Sequence, residues 1–239
     1  MASTKVLIAI QARSTSSRLP RKVFQKIGNK TMLEHVVDAC RGSAKYINMH
    51  SYSKKIEADV AVLVPEGDEI AYSLGSRISV LEGSEKDVLS RYNKALLTFN
   101  PDYIVRITAD CPLIPHFLIS KTINCGVLNK HDYCSNVDEN FRTAVDGFDC
   151  EIMSRRALEW LNETATLPQD REHVTTLIRR SPPEWASMGN IIGYIDFSNV
   201  KLSVDTQEDL DRVKAMHSKI SKAIELAEKK NGKSAVYRF

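Results

Sequence analysis

Short apolar runs alternate with amphipathic stretches through the first half of the chain. Residues 6–10 are apolar and partly β-branched, too short a run for a helix, and predict a buried strand. Thr31-Met-Leu-Glu34 sets a hydroxyl three residues before a carboxylate, a capping box that opens a helix expected to reach about Arg41. Residues 58–64 read as a second strand, ended by Pro65-Glu-Gly67, and residues 68–74 as a helix. A third short strand is expected at 78–81, then a cap at Ser84-Glu-Lys-Asp87 opening a helix over 88–99. Residues 103–108 have the composition of a central strand. Strand alternating with helix predicts an α/β fold, with a mostly parallel, mixed sheet covered by helices on both faces.

Beyond Pro115 the rhythm loosens. Short strands are expected at 149–154 and 191–195, and helices near 155–164 and over 171–180, the latter ended by Pro182-Pro183. A last strand at 201–204 leads into Asp205-Thr206, an N-cap with Asp209 at the acidic third position. That helix is expected to run to about Lys230 and to be followed by a basic tail. The chain holds no internal repeats and no low-complexity linker.

Composition narrows the class. The 239 residues suffice for one large domain, and 43% apolar with 26% charged residues is ordinary for a soluble globular protein. A net charge of +3 does not describe a nucleic-acid coat, and no basic stripe with interleaved aromatics is present. Five cysteines without a C-x-x-C pair read as reduced thiols. Without a signal peptide or an apolar run of membrane-spanning length, the expectation is a soluble cytoplasmic protein with no membrane partner.

Charge matters here by where it clusters. The first strand runs into Arg13, four hydroxyl residues (Ser14 to Ser17), Arg18, Arg21 and Lys22. In a parallel α/β sheet the loop after a strand lines the ligand crevice. Guanidinium forks, an ammonium and backbone N–H groups gathered there suit a triphosphate, and a basic surface loop is the plain alternative. Asp110 and Asp205 each follow an expected strand. Two carboxylates meeting at that edge fit Mg²⁺, which keeps waters and shares its other positions with substrate phosphates. Asp205 could instead help cap the helix after it. Asp146, Asp149 and Glu151 form an acidic cluster that reads as a polar-substrate site or a solvated turn. His173 is a possible acid, base or anion contact, or simply structural. Walker A, G-x-G-x-x-G, H-E-x-x-H and Ser-His-Asp patterns are missing, which argues against a kinase, a dehydrogenase and a zinc hydrolase.

Seven segments in order resemble the cytidylyltransferases of the spore-coat polysaccharide type, relatives of the enzymes that make CMP-activated acidic sugars. They are Gln11 to Lys22, Gly83 to Tyr92, Val105 to Leu113, Asp132 to Asn136, Asp146 to Glu151, Arg171 to Thr175 and Val204 to Leu210. The resemblance implies a nucleotide-diphospho-sugar transferase fold, with a nucleotide-binding half over about 1–115 and an acceptor and dimerisation lobe over about 130–200. It implies that Arg13, Arg18 and Lys22 grip the triphosphate of CTP, joined by Ser16. Gln11, Ala12, Gly83, Ser84, Asp87 and Ala109 would surround the nucleotide. Asp110 and Asp205 would hold Mg²⁺, and Arg13, Lys22 and Asp110 would carry catalysis. Asn136, Asp149, Glu151, Arg171 and His173 would line the side of a small sugar-like acceptor, in a homodimer. Two departures stand out: Thr15 and Arg21 replace glycines usual in the family loop. Residues 46–55, where an apolar strand and a small-residue turn are expected, fit neither.

Overall fold

The computed structural model describes residues 3–50 and 55–231, with side chains to residue 226. The basic tail beyond 231 and residues 51–54 of the irregular segment lie outside the described residues. The chain begins with β1 (Thr4–Gln11), a 3-10 turn at Lys22–Phe24, and the small antiparallel pair β2 (Lys26–Ile27) and β3 (Lys30–Thr31). Next come α1 (Met32–His50), β4 (Ile56–Pro65), α2 (Glu69–Leu74), β5 (Ser79–Gly83), α3 (Val88–Phe99) and β6 (Tyr103–Thr108). The second half adds α4 (His116–Leu128), β7 (Tyr133–Ser135), β8 (Glu151–Ser154), α5 (Arg155–Thr164), α6 (Pro168–His173), α7 (Thr176–Arg180), β9 (Met188–Asn190) and α8 (Gln207–Asn231).

One sheet in the order β5-β4-β1-β6-β8-β7-β9 organises the molecule. Its first four strands are parallel, β8 runs antiparallel to β6 and β7, and β9 is parallel to β7. β1 lies between β4 and β6 and is buried on both faces, so it reads as an unbroken apolar run. Its alternate residues divide between two cores. Val6, Ile8 and Ile10 meet Val36, Cys40 and Ile47 of α1 and Ile119 and Ile123 of α4. Leu7 and Ala9 meet Leu89, Tyr92 and Leu96 of α3 and Leu158 and Leu161 of α5. A third, smaller cluster seats α8, through Leu210 and Val213, on Leu19, Ile27 and Met32.

Several expectations need correction. α1 does not stop near Arg41 but continues to His50, so residues 46–50 are helical. Gly42 does not break it. A Cβ there would lie 3.4 Å from the His116 side chain of α4, an ordinary van der Waals contact. The helix α4 is not among the expected elements, because it is apolar on most sides and lacks a side-chain cap at Pro115. The helix expected over 171–180 is two short helices, interrupted at Val174. Residues 191–195 are not a strand; the edge strand is β9, just before them. Residues 201–204 pair only through a single bridge, Lys201 with Asp146.

Candidate active site

The cleft forms where β1 and β6 end side by side. Ala12 donates to the Leu63 carbonyl and Ala109 to the Gln11 carbonyl, each at 3.0 Å, which carries the parallel pairing one residue past the strands. The chain then diverges, and residues 12–22 fold over the sheet edge. Polar side chains pin this loop. Ser14 N–H donates to Asp68 at 2.8 Å, the Thr15 hydroxyl to Glu85 at 2.7 Å, and the buried Leu19 plugs the third cluster. Arg21 takes the left-handed backbone, φ 54° and ψ 32°, at the turn before Lys22.

The loop turns Lys22 inward. Its ammonium, with a side chain only 12% exposed, donates to Asp110 Oδ2 at 3.2 Å, Asp205 Oδ1 at 3.2 Å and the Val204 carbonyl at 2.9 Å. Asp205 also accepts Arg18 Nη2 at 2.9 Å. The two aspartates come from distant parts of the chain and meet because the Val204 amide donates to the Asp110 carbonyl at 2.9 Å. Behind Asp205, the Asp209 carboxylate accepts the amides of Asp205 and Thr206, each at 3.1 Å, and thereby starts α8. Burial raises the Asp110 carboxyl, but the Lys22 charge and hydrogen bonds from Thr108 and Lys22 outweigh it, so Asp110 lies below its ordinary value and is ionised.

Gln11, Ala12, Arg13, Ser16, Arg18, Lys22, Ala109, Asp110, His173 and Asp205 line one cleft of about 280 Å³. Gly83, Ser84 and Asp87 are not among the residues that line it. A Cβ at Gly83 would sit 2.9 Å from Arg91 Cγ, so this glycine lets Arg91 pass under the strand end. Ser84 accepts the Asp87 amide at 3.0 Å, and Asp87 caps α3 by accepting Ser90 N–H at 2.9 Å. Arg21, by contrast, turns away to Glu69 at 2.8 Å and stacks over Phe24.

Four residues expected on the acceptor side are engaged elsewhere. Asn136 is buried, donating to the Phe148 carbonyl and accepting the Cys150 amide, both at 2.9 Å; it clips β7 to the chain before β8. Glu151 is buried, accepting Arg106 at 2.7 Å, the Tyr133 hydroxyl at 2.6 Å and the Thr175 hydroxyl at 2.8 Å. Arg171 donates from Nε and Nη2 to the one oxygen Asp87 Oδ2, at 3.0 and 2.6 Å, locking α6 to the cap of α3. Asp149 is partly exposed but paired with Arg142 at 2.6 Å. Burial, with Asp146 and Glu151 nearby, lifts its carboxyl to about 6 despite the opposing pull of Arg142. Only His173 of the five reaches the cleft, next to Glu172.

Arg91 and Arg106 also belong to the site, although neither is among the residues expected there. Arg91 is 1% exposed, with Nη1 donating to the Leu63 carbonyl at 3.1 Å and no carboxylate partner among the described residues. The Nε atoms of Arg91 and Arg106 and Oε1 of Gln11 are buried without hydrogen-bond partners, and all three side chains line the cleft. Arg91 and Arg106 do lie inside the segments Gly83 to Tyr92 and Val105 to Leu113, so a signal was present. Their cationic side chains sit at positions that pattern as core.

The donor set fits a hard divalent cation. Asp110, Asp205 and the Val204 carbonyl gather oxygens around one positive charge, now the Lys22 ammonium. Among the described residues no group of three or more His, Cys, Asp or Glu forms an all-protein cage. Two carboxylates completed by waters and phosphates are the usual seat of Mg²⁺.

The comparisons with known proteins agree with this geometry. An uncharacterised protein of Methanocaldococcus jannaschii is 32% identical over 215 residues, covering 86% of this chain and 80% of the relative. The spore coat polysaccharide biosynthesis protein SpsF of Bacillus subtilis is 28% identical over 223 residues, covering 90% and 87%. A 3-deoxy-manno-octulosonate cytidylyltransferase of Solibacter usitatus is 32% identical over 114 residues, covering 46% and 40%. Among solved structures, a cytidylyltransferase from Leptospira borgpetersenii superposes with a TM-score of 0.75 at 26% identity, covering 98% of this chain and all of that one. The cytidylyltransferase family profile matches residues 7–238. A mostly parallel sheet whose β1 and β6 ends carry this cleft, together with a family match over nearly its whole length, makes the chain a member of the cytidylyltransferase family.

Proposed function

We propose that the protein transfers the cytidylyl group of CTP to a hydroxyl of an acidic or phosphorylated sugar, releasing pyrophosphate, in a Mg²⁺-dependent reaction that serves surface polysaccharide synthesis. The observation that carries this reading is the meeting of Lys22 and Arg18 with Asp110 and Asp205 in one cleft, at the strand edge where α/β sheets bind ligands. Arg13, Arg18 and Lys22 bind the triphosphate, with Ser16 beside them, while the backbone of Gln11, Ala12 and Ala109 and the Gly83-Ser84 turn surround the nucleoside.

The chemistry follows from charge. The acceptor oxygen forms a bond to the α-phosphorus, the bond to the bridging oxygen breaks, and its electron pair leaves with pyrophosphate. Positioning and charge neutralisation accomplish such a transfer without a protein nucleophile. The acceptor hydroxyl loses its proton as the new bond forms, and His173 and Glu172, which line the same cleft, are the groups we assign to take it. Asp110 and Asp205 would hold the metal, and Lys22 would then serve the phosphates. Bound there, Mg²⁺ supplies charge neutralisation at the phosphate oxygens.

The same reading makes the protein a homodimer through the arm after β9, where Ile192, Tyr194, Ile195 and Phe197 are exposed. It assigns the protein to the cytoplasm, where five free thiols stay reduced. Among the described residues no helix is long and apolar enough to cross a membrane. Pyrophosphate release, measured with each of the four NTPs, Mg²⁺ and a panel of eight- and nine-carbon acidic sugars, amino sugars and phosphorylated polyols, tests it. Release from CTP with one acceptor class is expected. Equal release from every NTP, or none from CTP, overturns it.

A further inference from the structure

His173 enters the cleft from a strained backbone. The next residue, Val174, has φ 63° and ψ −55°, and across it the Thr175 amide donates to the His173 carbonyl at 2.6 Å. This is a γ-turn of the positive-φ hand, which is rare and strained, and positive φ in a β-branched residue is an outlier. Glycine would adopt it without steric conflict, yet a fully buried valine stands there.

The turn is fixed from both sides. Before it, the Val174 amide donates to the Asp170 carbonyl at 3.0 Å. The buried Asp170 carboxylate accepts Thr176 Oγ1 at 2.7 Å and both Arg180 amino groups at 3.1 and 2.8 Å. After it, the Thr175 hydroxyl donates to Glu151 Oε1 at 2.8 Å. Glu151 is itself held by Tyr133 and by Arg106, which lines the cleft. Reversing the chain within three residues sends His173 to the cleft and Thr175 to the buried carboxylate. Strain of this kind persists only where the surroundings over-determine it, and it gathers at functional sites.

Building on the cytidylyl-transfer reading of the cleft, we propose that Glu151, Thr175 and Val174 are positioning residues. Glu151 does not touch the acceptor; acting through the Thr175 hydroxyl and the strained turn, it holds the exposed His173 imidazole at the acceptor wall in one orientation.

Protein labelled with ¹³C at histidine Cε1 tests this without an acceptor. The chain has six histidines, and the His173 resonance is the one lost in His173→Gln. Thr175→Val is nearly isosteric and removes the bond to Glu151, whereas Thr175→Ser keeps it. In Thr175→Val the His173 resonance is expected to shift and broaden while those of His35, His50, His116, His131 and His217 stay in place. Thr175→Ser restores it. Val174→Gly relaxes the turn with the Thr175–Glu151 pair intact and is expected to move the same resonance, which covers the case in which Thr175→Val does not fold. An unmoved His173 resonance in the folded variants overturns the proposal. Thermal stabilisation by CTP, followed in the same samples, is expected in the wild type and retained in all variants. Its absence in the wild type overturns the nucleotide reading and leaves the turn untouched.

Discussion

The Lys22 ammonium lies 3.2 Å from Asp110 Oδ2, and it bridges that carboxylate to Asp205, also at 3.2 Å. Arg18 pairs with Asp205 alone at 2.9 Å, so the lysine is the charge that the two aspartates share. Lys22→Met removes it, with two consequences. The triphosphate loses a donor, which lowers the rate of pyrophosphate release by about 10²–10³-fold. With only Arg18 left to offset them, the two carboxylates attract a divalent cation more strongly, so titration calorimetry with Mn²⁺ and no nucleotide is expected to show tighter binding than in the wild type. Weaker Mn²⁺ binding by the variant would show that the carboxylates do not form the metal seat.

Arg21 stands where the family loop usually has glycine, and its φ of 54° is in the left-handed region. An L-residue there gives up about 1–2 kcal/mol, partly offset in Arg21→Gly by the greater freedom of glycine in the unfolded chain. The ion pair with Glu69 is exposed and contributes little. Arg21→Gly is therefore expected to raise the melting temperature by about 1–3 °C, given roughly 2–4 °C per kcal/mol for a domain of this size. Since Arg21 faces away from the cleft, stabilisation by CTP is expected to be unchanged. A large loss of CTP stabilisation would mean that Arg21 swings into the site.

Asp149 gives a pH signature with a definite sign. Burial raises its carboxyl from 3.8 to about 6 in the folded protein, so between those values the native state binds more protons than the unfolded chain. Ionised Asp149 thus opposes folding above about pH 6, and that opposition fades as pH falls toward 4. Asp149→Asn is expected to be more stable than the wild type by about 1–2 kcal/mol at pH 7.5, and equal to it near pH 4. Urea denaturation at the two pH values measures the difference. A variant less stable at pH 7.5 would mean that the Arg142 pair outweighs burial.

Glu151 is a buried anion. Glu151→Ala leaves the Arg106 guanidinium buried without its carboxylate, and breaking a buried pair in this way costs about 3–5 kcal/mol. The expected outcome is a melting temperature lower by roughly 10 °C or more. Replacing Arg106 by Met in the same chain is expected to recover part of that loss. Full stability in Glu151→Ala alone would contradict the buried network.

Much of the fold was legible because local rules and packing agree along the first half. The apolar run in β1, the capping box at Thr31 and Glu34, and the strand β6 each carry a local signal that the sheet then satisfies. The second half was harder. α4 lacks a side-chain cap, and the break at Val174 is imposed by hydrogen bonds to Asp170 and Glu151, which no local propensity encodes. The exposed apolar residues after β9 carry strand composition but find no strand to pair with among the described residues.

The basic loop divides in the same way. By itself the sequence determined that cations cluster after the first strand and that aspartates follow two later segments, because composition and order are local facts. Only the tertiary structure decided which of them work together. Lys22 and Arg18 turn inward to Asp110 and Asp205, Arg21 turns outward to Glu69, and Arg91 and Arg106 enter the cleft from beneath. Glu151 and Asn136 withdraw into buried hydrogen bonds, and Arg171 into a part-buried pair with Asp87. The physical reason is that a polar side chain out of water must find a partner, and partners distant in sequence meet only when the sheet is assembled.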